Sequence, residues 1–265
     1  MNATAHSVWH RHSRREVLQR FAVQLAIAIA VVWAAFGLDI YWPFLLDAPA
    51  TVVDLAGRMV PPDWTFFDDI VPPMIETVNI ATLGTILAVI LAFPVSVLAA
   101  RNTTPNAATF FLGRIIVVSS RSVNELVWGL IMVVIFGPGA MAGVTAIALR
   151  SIGFTAKLLA EAIEEIDRGQ VEAIEATGAS RAAVFLYAMV PQIMPAFWGV
   201  TVFRWDINIR QSSVIGLVGA GGIGIVLNSA MNLFRWDQVT VILMAVFAVV
   251  LVSEAVSATL RAKYT

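Results

Sequence analysis

The sequence predicts an all-α, polytopic membrane protein with about six transmembrane helices. Three observations carry this. Apolar residues make up 59% of the 265-residue chain and the mean hydropathy is +0.82, above the roughly 45–50% apolar share of soluble domains. These residues gather in runs of about 20 with few or no charges, the length a helix needs to cross the hydrocarbon core. One segment breaks the pattern: eight of the 21 residues from Glu161 to Arg181 are charged, against 13% for the chain. A segment of that kind cannot sit in lipid, so it belongs in water between spans.

The elements follow in order. Residues 21–38 carry no charge, and Arg11, Arg14, Arg15 and Arg20 precede them. The arrangement also resembles a secretory leader, but the apolar run exceeds the roughly 7–15 residues of such a core, so it reads as an uncleaved anchor. A Pro-rich acidic segment follows at 39–72, with Asp39, Asp47, Asp54, Asp63, Asp68 and Asp69. Residues 77–100 form the second run, and Pro94 is expected to kink it. Residues 112–136 form the third, interrupted by Arg114, Arg121 and Glu125. Gly137-Pro138-Gly139 is a turn signal, and 140–160 return as the fourth span. Residues 193–216 and 239–260 are the fifth and sixth.

Placing the N-terminus in the cytoplasm puts the N-terminal arginines, Arg101, Arg168, Arg181, Arg261 and Lys263 inside, and leaves Arg58 and Arg235 outside. That satisfies the positive-inside bias. Both termini and the segment 161–191 are then cytoplasmic. The expected organisation is a cytoplasmic basic tail (1–20), an anchor helix with an acidic outer loop (21–72), and a membrane core (73–265) carrying the cytoplasmic loop 161–191.

Several chemistries are excluded. Cysteine is absent, which removes disulfides and thiolate sites. His6, His10 and His12 all lie in the N-terminal tail, so no Ser-His or zinc-protease site can form within the membrane. Asp206 is the only clear aspartate in a span, which removes a two-aspartate protease. The stretch from Gly219 to Gly224 spells G-x-G-x-x-G, but it follows an apolar helix rather than a strand and lacks the βαβ context. No P-loop motif is present, so the chain does not hydrolyse ATP by that route. Gly219, Gly221, Gly222 and Gly224 suit a tight turn or an external gate; simple close helix packing is the alternative.

Charges at membrane depth are the second signal. They are costly there and usually face a bundle interior or a watery cavity. The third span holds Arg121, Asn124 and Glu125; the fifth holds Arg204, Asp206, Asn208, Arg210 and Gln211. Arg121–Glu125 and Asp206–Arg210 are spaced i, i+4, so each pair is expected to share a helix face. Either these residues pair structurally, or they line a translocation route. Arg204 and Arg150 have no carboxylate at helical spacing, and guanidinium forks suit phosphate-like oxyanions.

Within the charged loop, Glu172-Ala173-Ile174, then Glu175, Ala176 and Thr177, then Gly178, and Pro191 thirteen residues later, resemble the EAA loop of ABC-importer permeases. Arg121–Glu125, Glu172–Gly178, Arg204–Arg210 and Val218–Gly224 together resemble the phosphonate/phosphite importer permease of the methionine-permease-like superfamily. The first 70 residues carry little of the likeness. The resemblance implies a type I ABC importer permease fold. It also implies a dimer with a second copy of the chain, two cytoplasmic ATPase subunits and an extracytoplasmic substrate-binding protein. Glu172, Ala173, Glu175, Ala176, Gly178 and Pro191 would then serve coupling to the ATPase. ATP and magnesium would be used by that partner, with no cofactor, metal or nucleic acid bound by this chain and lipid around it. The expected activity is import of phosphonates or related phosphorus oxyanions, with no enzymatic reaction. The alternatives are a permease for another small solute such as an amino acid, or an ATP-independent transporter.

Overall fold

The computed structural model describes residues 14–38 and 42–264, and the side chains of these up to Ala262. His6, His10, His12, Arg11, Asp39 and the Lys263 side chain lie outside the described residues. The chain divides into two compact units, residues 1–56 and 57–265. Every regular element among the described residues is helical.

The first unit contains α1 (Arg14–Gly37) and most of α2 (Trp42–Met59). Helix α1 is long and apolar enough to cross a membrane, and its charges Arg14, Arg15, Glu16 and Arg20 all lie near its start. Residues 42–59, read from sequence as part of an acidic loop, form an 18-residue helix instead.

The second unit is the bundle. Helix α3 (Phe67–Ala99) remains one helix through Pro72, Pro73 and Pro94, although each removes a helical hydrogen bond. Helix α4 (Ala107–Ser122) is capped by Asn106, whose side chain accepts from the Thr109 amide at 2.9 Å. Then come α5 (Glu125–Phe136), α6 (Ala140–Glu164), the short α7 (Arg168–Glu175) and α8 (Arg181–Val184). A π turn at Phe185–Met189 leads into α9 (Val190–Ile215). The last helices are α10 (Ile223–Asn232) and α11 (Trp236–Tyr264).

The expected third span is not one straight helix: α4 and α5 meet at a 93° bend. Val123 and Asn124 are extended, and the Asn124 side chain caps α5 by accepting from Leu126 at 2.9 Å. The pair still traverses the bundle. Helix α4 starts beside the end of α3, where the Gly113 backbone leaves no room for a Cβ against Ala99, and Arg114 lies 3.9 Å from Glu164 at the end of α6. Helix α5 finishes at the opposite end, where the Gly139 amide donates to the Gly219 carbonyl at 2.9 Å. With the bent pair counted as one span, the described residues hold six segments long and apolar enough to cross a membrane.

Small residues allow close packing at the centre. Gly84, Ala81, Ala88 and Ala92 of α3 meet Ala146, Ile147 and Ala156 of α6, all buried. Without a hydrophobic drive between helices in lipid, such close approach is what holds spans together.

Candidate functional site

Three regions hold the predicted residues: a polar cluster at bundle depth, the charged loop at the end where α6 finishes, and the glycine segment at the opposite end.

The cluster forms around residues 150–154 of α6. Ser120, near the end of α4, accepts from the Gly153 amide at 3.0 Å and donates to the Leu149 carbonyl. Gly153 permits this because a Cβ there would meet the Val117 carbonyl oxygen at 2.5 Å. The contact seats the α4–α5 bend on α6. Arg121, exposed at the last turn of α4, lays its Cγ over Gly153. Glu125 opens α5, and its carboxylate stands 3.7 Å from Arg150 Nε. That is too long for a hydrogen bond, and Arg150 Nε is buried without any hydrogen-bond partner.

Arg204 enters from α9 and is 3% exposed. Its Nε donates to Ser151 Oγ at 2.9 Å and its Nη2 to Gln211 Oε1 at 3.0 Å, while the guanidinium stacks 5.2 Å over the Phe154 ring. Ser151 donates onward to Asn208 Oδ1 at 3.1 Å, and Asn208 Nδ2 donates to Thr85 Oγ1 at 2.8 Å. Asn208 is fully buried and both ends of its amide are satisfied. This chain of bonds ties α9 through α6 to α3. Arg150 and Arg204 are thus gathered around residues 150–154 of α6, and Glu125, beside Arg150, is the one carboxylate that pairs with either among the described residues.

The sequence placed Arg121 and Glu125 on one helix face. The structure separates them, because the extended residues 123 and 124 interrupt the helix, and Glu125 faces Arg150 of another helix instead. Asp206 and Arg210 do pair, at 2.5 Å. They form a second group rather than joining the first, since residues two apart on a helix point to nearly opposite sides. Asp206 Oδ1 accepts from Ser253 of α11 at 2.9 Å. Ser151, Thr85, Phe154 and Ser253 escaped the sequence reading. Small hydroxyl residues inside apolar runs are the signal that could have found them.

At the other region, Asp167 caps α7 by accepting from the Gly169 amide at 2.9 Å. Gln192 clasps the start of this helix: its Oε1 accepts from the Asp167 amide at 2.9 Å and its Nε2 donates to the Ala188 carbonyl at 2.8 Å. Val171 turns inward beside Phe185 onto the core of Ile163 and Met189. Glu172, Ala173, Glu175 and Ala176 are exposed, and so is Gly178. Gly178 has φ +77° with open space around its Cα. Pro191 stands apart from α7 in the first turn of α9. Just before it, the Val190 amide reaches five residues back to the Phe185 carbonyl, making the π turn. Such turns are rare and often mark functional positions.

The glycine segment closes the opposite end. Gly219, Gly221 and Gly222 all have positive φ. A Cβ on Gly221 would lie 2.9 Å from the Ala140 amide, one on Gly222 would strike Thr77 Oγ1, and one on Gly224 would lie 2.6 Å from Gly216 Cα. The Ile223 amide donates to Thr77 Oγ1 at 2.8 Å. The segment is a buried knot joining α3, α6, α9 and α10.

Residues 84–262 match the family described as binding-protein-dependent transport system inner membrane component. The chain is 38% identical to the phosphite transport system permease protein PtxC of Stutzerimonas stutzeri over 88% of this chain and 87% of that protein. It is 34% identical to the putative phosphite transport system permease protein HtxC of the same organism, over 98% of this chain and 94% of the other. An inward-facing structure of the MetNI methionine ABC transporter superposes with a TM-score of 0.66 over 77% of this chain and 99% of that one, at 20% identity, a likeness of fold. The all-α membrane bundle is thus an ABC importer permease fold, and the chain is a transport subunit rather than an enzyme. It belongs to the family of binding-protein-dependent transport system inner membrane components.

Proposed function

We propose that this chain is the permease of an ATP-driven importer of phosphonates or closely related phosphorus oxyanions such as phosphite. The observation that carries this reading is the pairing of part-buried Arg150 and buried Arg204 on adjoining helices with a single carboxylate, Glu125, beside Arg150, at membrane depth. Guanidinium groups match tetrahedral oxyanions in shape and charge. The relatives named for phosphite transport support the same substrate class. A route must hold its solute weakly enough to release it. Glu125 offsets part of the positive charge, and Ser151 and Gln211 occupy two of the three nitrogens of Arg204. The remaining attraction is moderate rather than trapping.

In this reading the chain works beside a second copy of itself, with two cytoplasmic ATPases that use ATP and magnesium and a binding protein outside. Both termini and α7 face the cytoplasm, as the basic residues favour. Glu172, Ala173, Glu175 and Ala176 form the face offered to the ATPase, and the small alanines allow close approach. Gly178 ends that helix, and Pro191 with the π turn gives α9 a joint through which movement of α7 reaches Arg204. The segment from Gly219 to Gly224 closes the outer end. Asp206, Asn208 and Arg210 border the route from α9.

The test is ATP hydrolysis by the assembled complex with its binding protein, challenged with phosphonates, phosphite, phosphate, sulfate and methionine. Stimulation confined to phosphorus oxyanions supports the reading. Stimulation by methionine alone points to the amino-acid alternative. Uptake with no associated ATPase points to an ATP-independent transporter.

A further inference from the structure

Helix α2 has a two-sided pattern that a membrane span lacks. Asp47, Thr51, Asp54 and Arg58 recur at spacings of four, three and four. At 3.6 residues per turn they fall within an arc of about 60°. Leu45, Leu46, Pro49, Val52, Val53 and Ala56 occupy the opposite side, and Leu46 and Val53 are 79% and 71% exposed. An apolar face of this extent on a helix with a continuous polar stripe marks an interfacial element. By contrast, α1 confines its charges to its beginning.

Two further observations fix the level of α2. Its last residue, Met59, accepts a hydrogen bond from Thr240 Oγ1 at 2.9 Å, in the first turns of α11, and Asp63 donates its amide to the Asp237 carbonyl at 3.4 Å. The end of α2 is therefore pinned where the apolar span of α11 begins, at the border of the hydrocarbon layer. Trp42 opens α2, Trp64 follows it and Trp236 opens α11, and such rings favour the headgroup level.

We propose that α2 lies flat in the lipid boundary. Its Leu45, Leu46, Val52, Val53 face sinks among the upper acyl chains, and its Asp47, Thr51, Asp54, Arg58 stripe stays in water. The occupant of the apolar face is lipid. The stripe carries two aspartates against one arginine, so binding draws on apolar burial and not on anionic headgroups.

The chain contains no cysteine, so single spin labels can be placed without background. Leu45→Cys, Val52→Cys, Val53→Cys and Ala56→Cys report the apolar face; Asp47→Cys, Thr51→Cys, Asp54→Cys and Arg58→Cys report the stripe. The labelled permease, assembled with its partners in nanodiscs of zwitterionic lipid, is collided with oxygen and with a water-soluble nickel complex. Monodisperse elution of each variant confirms assembly without reference to substrate. The expected result is an oxygen-to-nickel ratio several-fold higher on the apolar face, alternating with helical period and constant in depth from position 45 to 56. A depth that changes steadily along the helix would mean that α2 crosses the membrane. Low accessibility to both reagents on the apolar face would mean that protein covers it, a second copy or a partner. High nickel accessibility at every position would leave α2 in water. Each of these three outcomes overturns the proposal.

Discussion

The Asp206–Arg210 pair offers an asymmetric perturbation whose size follows from the structure. Arg210 Nη2 lies 2.5 Å from Asp206 Oδ2, yet the side chains are 42% and 7% exposed. Replacing Arg210 with Met keeps the aliphatic stem but strands a buried carboxylate with Ser253 as its remaining donor. Breaking a buried pair in this direction costs about 3–5 kcal/mol, and the half-exposed partner argues for about 3. Asp206→Asn keeps an oxygen for Ser253 and frees an arginine that can still reach solvent, so its cost should be about 1 kcal/mol. At about 2–4 °C per kcal/mol for a bundle of this size, Arg210→Met should lower the melting midpoint by roughly 6–12 °C and Asp206→Asn by roughly 2–4 °C. The double replacement Asp206→Leu with Arg210→Met should regain most of the loss, because two apolar side chains replace an ion pair without leaving a charge behind. Thermal melts of the purified permease in one detergent measure all three. Equal losses for the two single variants, or a double variant as unstable as Arg210→Met, would refute the reasoning. Uptake by the double variant adds the functional answer: full transport would leave Arg210 a packing role alone.

Other expectations follow from the same geometry. Ala176→Trp, on the exposed face of α7, should leave the permease assembled but weaken its association with the ATPase, measured by co-purification; undiminished association would remove α7 from the interface. Gly178 is a poorer probe, because its φ of +77° adds about 1 kcal/mol of strain for any side chain. Gly222→Val should abolish folding, since its Cβ meets Thr77 and its φ is +69°. Gly219→Ala has no neighbour closer than 3.8 Å to its Cβ, but its φ of +91° adds about 1–2 kcal/mol of strain; it should fold with lowered stability, and transport equal to wild type at matched abundance would speak for a fixed connector. Hydrogen bonds from Thr65 hold the Asp63 carboxyl below its usual range. The clasp they make is therefore present above the ordinary Asp pKa and lost as pH falls through the lowered value. The protection of the Thr65 amide, the intrinsic exchange rate at the same pH divided by the observed rate, should fall in acid, and Asp63→Ala, which removes the accepting oxygen, should show that lower protection at neutral pH.

The spans were legible because long apolar runs have few other uses, and α6, α9 and α11 start or end within a few residues of their expected places. Helix α7 and its exposed acids were legible because charge cannot be buried in lipid. The bend between α4 and α5 was harder to see. Asn124 is a capping residue inside an apolar stretch, and its meaning depends on Gly153 admitting Ser120 from another helix. The partner of Glu125 was misplaced for the same reason: spacing along one helix says nothing about Arg150 on its neighbour. Helical periodicity in 42–59 was present but hidden by the prolines and aspartates that suggest a loop. The glycine segment left two readings open from sequence, a tight turn or gate and close helix packing, and its positive φ values and missing Cβ atoms serve a turn and close approach together.

The central claim is that excess positive charge at the α4–α5 bend holds the oxyanion and that Glu125 tempers the hold. Glu125→Gln keeps the shape of the side chain and removes its charge. Substrate-stimulated ATP hydrolysis by the reconstituted complex, at saturating binding protein and over a range of phosphite concentrations, gives KM and kcat separately. The account predicts that both fall several-fold, because the anion binds more tightly and leaves more slowly. Unchanged constants, or a raised KM with unaltered kcat, would contradict it.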